Sequence, residues 1–196
     1  MGGTFDPIHN GHLFAAEAVR QGFGLDVVIF IPAARPPHKN ASEVSDPETR
    51  YVMVELATAD NPYFVVSRIE LDRPGPSHTV DTIAALKENT GPDTDIYFIT
   101  GADAMQDLYK WKDHDTLLLL CKIVAVARPG YSLKVTESLR SHLGDALWAR
   151  IYPFEVPALA ISSSEIRERV RTGKSIKYLV PPTVEHYIRK VGLYVK

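Results

Sequence analysis

Five apolar runs of strand length punctuate this chain, with helix-like stretches between them, and that alternation limits the fold more than any other feature. The runs are VVIFIP (27–32), FVVSRIEL (64–71), DIYFIT (95–100), KIVAVA (122–127) and ARIYPFEV (149–156). Between them lie RYVMVELATA, HTVDTIAALKENTG, ADAMQDLYKW with DTLLLL, and LRSHLG, and LFAAEAVRQGFG precedes the first. Strands that are apolar throughout, rather than on alternate residues, are buried on both faces, as in a parallel sheet covered by helices. The class is therefore α/β, a doubly wound parallel sheet with right-handed crossovers. The final stretches SSSEIRERVRTG and PPTVEHYIRKVG read as helices that form a small C-terminal helical cap. One domain spanning 1–196 is expected, with a core over 1–160 and a helical subdomain over 161–196. A doubly wound sheet also places a central strand directly before its first ligand loop. Met1 stands where that strand would end, so a first strand is expected upstream.

The bulk numbers exclude several classes. A length of 196 residues, 45% of them hydrophobic, supplies one substantial core. A net charge of −2 argues against a life on bulk nucleic acid or anionic membrane. The local basic stretches, Arg35 to Lys39 and Arg167 to Lys177, suit a small anionic ligand better. Cys121 is the single cysteine, in LLLLCKIVAVA, which reads as a buried inert thiol and rules out a disulfide framework or a cysteine metal site. No apolar run reaches membrane-spanning length, and the N-terminus lacks the shape of a signal peptide. A soluble cytoplasmic protein is the expectation.

Chemistry concentrates in two segments. The first is GGTFDPIHNGH (2–12), where glycines, an Asp-Pro turn and two histidines feed the start of a helix. Such a terminus has free N–H groups and a positive dipole end, which attract an anion. His9 and His12 are three apart and can face one side as the helix begins. They either pad the turn or donate to phosphate, and Gly2, Gly3 and Gly11 favour the second reading by allowing close backbone approach. Zinc would need a third ligand that no HExxH or cysteine cluster provides, so no metal site is expected. The second segment is ISSSEIRERV (161–170). Ser162 and Glu165 match a capping box, which leaves two further hydroxyls and Arg167 unexplained. Hydroxyls, N–H groups and a guanidinium at one helix start make a polyphosphate cradle. Arg169 and Arg171 read as a solvated face.

Other residues carry two readings each. Gly101 and Asp103 follow DIYFIT, where an Asp either meets a ribose hydroxyl or caps a helix. Thr79 and Asp81 sit in PSHTVDT, where Thr79 or Ser77 could simply start the helix. Trp111 is either core or a stacking surface. The irregular stretch 33–48 exceeds ordinary loop length, which marks a substrate loop or a disordered one.

GGTFDPIHNGH, with its HxGH core, and ISSSEIR resemble the nucleotidylyltransferase superfamily. More closely, the chain resembles the bacterial nicotinate-mononucleotide adenylyltransferases. PPHK, RYVMVELA, PSHTVDTI, FITGADA, a tryptophan, ARPGY and YLVPPTVEHYI appear in that family's order over essentially the whole chain. Ser164 departs from the family's usual threonine but keeps the hydroxyl, and the absent first strand is the second departure. The resemblance implies a Rossmann-like fold and transfer of AMP from ATP to nicotinate mononucleotide, giving deamido-NAD and pyrophosphate, with Mg²⁺ bound to ATP. By resemblance, Gly3, Thr4, Phe5, His9 and His12 hold ATP phosphates, His12 being the main transition-state donor. Ser162, Ser163, Ser164 and Arg167 grip the outer phosphates, and Gly101 and Asp103 meet the adenosine ribose. Lys39, Thr79 and Trp111 serve the pyridine nucleotide, with backbone at Val80 and Lys112 on the nicotinate carboxylate. Partners are ATP and nicotinate mononucleotide, with no nucleic acid or membrane and room for a homo-oligomer. A phosphopantetheine adenylyltransferase or cytidylyltransferase shares HxGH, and a non-catalytic nucleotide sensor is the rival outside enzymes. An aminoacyl-tRNA synthetase fragment shares HxGH too, but the chain has no basic surface stripe for tRNA.

Overall fold

Residues 1–37, 39–105, 107–127, 135–157 and 159–195 are described by the computed structural model. They fall into two compact units, one of Met1–Gly2 with Ser77–Ala158, the other of Gly3–Pro76 with Leu159–Lys196. Both units are discontinuous, and in the one that begins at Gly3 the segment Leu159–Lys196 folds with Gly3–Pro76.

β1 (Gly2–Gly3), β2 (Val28–Pro32) and β3 (Phe64–Val66) form a sheet in the order β1-β2-β3. β2 and β3 are parallel, with Val28 opposite Phe64 and Phe30 opposite Val66. The first strand is thus two residues long, and the Gly3 carbonyl accepts from the Ala33 N–H at 2.9 Å. β2 is apolar on both sides because both are covered: Val28, Phe30 and Ile31 are all buried. α1 (Asn10–Phe23) packs on β2 and ends at Gly24, whose φ of 62° is the left-handed cap that glycine adopts without strain. α2 (Pro47–Thr58) starts at Asp46, whose carboxylate accepts from the N–H groups of Glu48 and Thr49.

The expected strand FVVSRIEL is cut to three residues. Ser67 N–H makes a last ladder bond to the Phe30 carbonyl, then its Oγ accepts from the Ile69 N–H and turns the chain. A short hydroxyl side chain that captures a nearby backbone donor competes with the ladder, and here it wins.

The other unit carries β4 (Tyr97–Gly101), β5 (Lys122–Ala127) and β6 (Ile151–Glu155), parallel and in consecutive order. α3 (Thr79–Thr90), α4 (Ala102–Met105), α5 (His114–Leu120) and α6 (Val135–Trp148) accompany them, α6 being interrupted at Gly144 by a non-helical φ of 73°. Val80, Ile83, Phe98, Leu117 and Ile123 centre its core. Cys121 belongs to it, donating to the Leu117 carbonyl, and burial pushes its thiol up to about 12, as an inert structural cysteine requires. Consecutive parallel strands with helical crossovers, as β4, β5 and β6 form, are what each half of a doubly wound fold contains. The C-terminal helices α7 (Ser163–Arg171) and α8 (Pro182–Val191) belong to the unit that begins at Gly3. α8 packs on α2, and Thr183 Oγ1 donates to the Leu56 carbonyl at 2.8 Å. No helix among the described residues is long and apolar enough to cross a membrane.

Candidate active site

The loop between β1 and α1 is built around a residue in an unfavourable conformation. Phe5 has a φ of 50° yet is buried, a left-handed arrangement costing about 1–2 kcal/mol for a side chain with a Cβ. Its ring lies edge-on to His12 at 5.2 Å between centroids and packs on Phe30. This explains Gly3: a Cβ there would stand 2.9 Å from Phe5 Cζ. Gly11 has the same kind of reason, since its Cβ would come within 3.1 Å of the His9 ring. At both positions the missing Cβ leaves room for one of the protein's own rings.

His9 and His12 do face one side. The first is the buried N-cap of α1, and the two rings stack at 3.7 Å with 22° between their planes. The His9 N–H donates to His12 Nδ1 at 3.3 Å, which places the proton of a neutral His12 ring on Nε2. Burial, with His9 second, lowers the His12 pKa from its ordinary 6.5 to about 3. His12 is thus a fixed neutral donor. The helix terminus itself is less open than its sequence suggests. Asn10 N–H is taken by the Leu179 carbonyl at 2.9 Å, and Asn10 Nδ2 donates to the Tyr178 carbonyl at 2.7 Å.

The ISSSEIR segment is brought to this loop. Ser163 Oγ donates to the Pro7 carbonyl at 2.9 Å, and Arg167 Nη1 to the Asp6 carbonyl at 2.8 Å. Ser162 caps α7 by accepting from the Glu165 N–H, and its hydroxyl lies 3.2 Å from that of Ser164. Only half of the capping box forms, because the Glu165 carboxylate pairs with Arg169. Arg169 and Arg171 do form a solvated face, the latter paired with Glu168. Beside Arg167 lies a cavity of about 440 Å³, lined also by Asp6, Pro37, Lys39, Asn40, Glu43 and Val44. The long 33–48 stretch that supplies Lys39 contains a short 3-10 turn at Ala41–Glu43 and ends at the Asp46 cap. His38 of PPHK lies outside the described residues, as do residues 128–131 of ARPGY.

The remaining candidates belong to the unit that holds Ser77–Ala158. Gly101 ends β4 in an exposed position where a Cβ would meet no atom within 4 Å, and Asp103 is exposed on α4. Thr79 is the first residue of α3, but His78 occupies the N-cap, so neither Thr79 nor Ser77 caps it. Val80 is buried in the core, leaving only its backbone to serve a ligand. Trp111 is half-buried against the same core, its ring edge-on to Phe98 at 6.0 Å, which favours the core reading. Lys112 Nζ reaches both carboxylate oxygens of Asp81 at 3.0 and 3.1 Å, drawing the Trp111–Lys112 segment to the start of α3.

Two residues went unforeseen. Arg50 is completely buried and donates to the carbonyls of Thr4, Ala34 and Ser45. It lies at helical spacing from the buried Met53, Val54 and Ala57, so a cation on an apolar stripe was the available signal. Tyr194 reaches Asp6 from the far end of the chain, and no local pattern marks it. Among the described residues, no group of three or more His, Cys, Asp or Glu could hold a metal ion.

Comparison with known proteins agrees with the motifs. The cytidylyltransferase-like family matches residues 1–169. A protein of Moorella thermoacetica is 56% identical over 99% of this chain and 89% of its own length. One from Thermoanaerobacter sp. is 52% identical over 100% and 93%. Both are named "Probable nicotinate-nucleotide adenylyltransferase". At 21% identity, the Plasmodium falciparum nicotinic acid mononucleotide adenylyltransferase complexed with NaAD shares the fold with a TM-score of 0.79, over 99% of this chain and 95% of that one. The fold is the Rossmann-like one that the resemblance implied, and the chain belongs to the cytidylyltransferase-like family and, within it, to the nicotinate-nucleotide adenylyltransferases.

Proposed function

We propose that this protein transfers AMP from ATP to nicotinate mononucleotide, releasing pyrophosphate and forming deamido-NAD for NAD biosynthesis. The observation that carries the reading is the stacked His9–His12 pair, with the His12 ring kept neutral by burial, on a loop that Ser163 and Arg167 also grip. The attacking phosphate oxygen is already anionic at neutral pH, so no general base is needed. Catalysis is positioning plus stabilisation of charge on the α-phosphate and the departing pyrophosphate. His12 Nε2–H donates to that charge without itself gaining or losing a proton, while His9 orients it. Gly3, Thr4 and Phe5 offer backbone to the phosphates. Arg167 and the hydroxyls of Ser162, Ser163 and Ser164 meet the outer ones, for which Arg167 and Ser163 must redirect or share donors now given to Asp6 and Pro7. Mg²⁺ enters with ATP as part of the substrate, carried by the phosphates, the usual preference of an ion that keeps much of its water.

Gly101 and Asp103 take the ribose; Lys39, Thr79 and Trp111 the mononucleotide; the N–H groups of Val80 and Lys112 the nicotinate carboxylate. A carboxylate only accepts, whereas an amide of the same shape points an NH₂ at those donors. We further assign the whole of 1–196 to one nucleotidylyltransferase domain with a helical subdomain over 161–196, working in the cytoplasm, without nucleic acid or membrane, and open to homo-oligomerisation. The test is pyrophosphate release with ATP or CTP against nicotinate mononucleotide, nicotinamide mononucleotide and phosphopantetheine. Turnover with ATP and nicotinate mononucleotide, at least about tenfold better in kcat/KM than with the amide, is expected. Preference for phosphopantetheine or CTP, or no release at all, overturns the reading.

A further inference from the structure

The Thr4–Pro7 loop is held by side chains from three separate parts of the chain. Arg50 of α2 donates to the Thr4 carbonyl at 2.7 Å and to the Ser45 carbonyl at 2.8 Å. From α7, Arg167 and Ser163 take the carbonyls of Asp6 and Pro7. The Asp6 side chain supplies the third link: Tyr194 Oη donates to Oδ1 at 2.6 Å and the Ser45 N–H to Oδ2 at 3.1 Å. Tyr194 has a left-handed φ of 63°, an arrangement that persists only where the surroundings fix it. Burial first, and the Asp6 carboxylate second, push its phenol well above the ordinary range, so it remains a donor at every working pH. Asp6, buried, receives this hydroxyl while the Arg50 and Arg167 cations lie close by.

We propose that Tyr194 is a positioning residue for adenylyl transfer, fixing the Thr4–Pro7 loop through Asp6 and thereby the approach of His9 and His12. The inference rests on the adenylyltransferase reading for its kinetic arm alone. Tyr194→Phe removes one hydroxyl and leaves the ring. The control is Thr183→Ala, which removes a hydrogen bond of similar length between α8 and α2 in the same unit, away from the loop. Tyr194→Phe is expected to lower kcat about tenfold, with KM for the mononucleotide changed less than about twofold, the pattern of an interaction that matters in the transition state. Thr183→Ala is expected to lower Tm comparably while kcat stays at the wild-type value. Amide exchange over residues 4–9 should speed up in Tyr194→Phe and not in Thr183→Ala, a readout independent of what the enzyme turns over. Combining Tyr194→Phe with Asp6→Asn should cost no more kcat than Asp6→Asn alone. Unchanged exchange in Tyr194→Phe, wild-type kcat despite faster exchange, or an equal kcat loss in Thr183→Ala each overturns the proposal.

Discussion

The two groups of candidate residues are built differently. Around His12, the carbonyls of Thr4, Asp6 and Pro7 and the Asp6 carboxylate all have partners inside the protein, and the loop's side chains are buried or half-buried. Around Gly101 and Lys112, by contrast, Gly101, Asp103 and Lys112 are exposed, and Lys112 is tied to Asp81 by a solvent-facing ion pair. The difference follows the chemistry each group is proposed to perform. Donors aimed at charge that develops during reaction must be set beforehand, because reorganisation at that moment raises the barrier. Groups that bind a ribose or a pyridine ring can adjust on contact and lose only affinity.

The sharpest way to break this contrast is His12→Ala, expected to lower kcat by about 100- to 1,000-fold with little change in nucleotide affinity. His12→Asn should recover part of that loss, since the amide still donates. Steady-state kinetics of pyrophosphate release decides it. A wild-type kcat in His12→Ala would remove the prefixed donor from the mechanism.

The second effect is on stability against pH. The folded His12 pKa is depressed to about 3, whereas the unfolded chain takes up the proton near 6.5. Its contribution is complete above pH 6.5, is lost as the pH falls through the window down to about 3, and changes no further below that. The slope from this one group is at most about 1.4 kcal/mol per pH unit. Urea midpoints of wild type and His12→Asn between pH 7 and pH 4 should therefore diverge at pH 7 and converge in acid. Parallel curves would mean that His12 is not held neutral.

Steric tests come third. Gly3→Ala puts a methyl 2.9 Å from Phe5 Cζ and should destabilise by about 1–3 kcal/mol. Gly101→Ala meets nothing within 4 Å and should leave Tm within a degree or so. Equal Tm losses would erase the distinction between a packed loop and an open one. The smallest effect is Lys112→Ala, because an exposed pair contributes about 0.2–1 kcal/mol and less in salt. A larger loss in thermal unfolding would show that this region is also held firmly.

Much of the framework was legible before the structure. KIVAVA is a strand to the residue, since nothing within it competes with the ladder. FVVSRIEL failed where Ser67 supplies that competition. That His9 and His12 face one side followed from their spacing, but the ring beside each of Gly3 and Gly11 did not, because a ring two residues away is invisible in a pattern of small residues. Arg50 and Tyr194 escaped for a plainer reason: their partners lie 46 and 188 residues away in sequence. Local periodicity reports which face is buried, and carries no information about which distant carbonyl or carboxylate a buried polar group will meet.

The discontinuity of the unit that holds His12 bears on how the enzyme is made. Synthesis runs from the N-terminus, so the loop at residues 4–12 leaves the ribosome first and then waits. Asn10 receives its carbonyl partners, and Asp6 its hydroxyl, only when residues 178–194 have been translated. The intervening unit, residues 77–158, can fold in the meantime. A nascent chain arrested before residue 178 would carry the whole HNGH motif without these partners for Asn10 and Asp6. A late-synthesised segment thereby completes the packing of an early one.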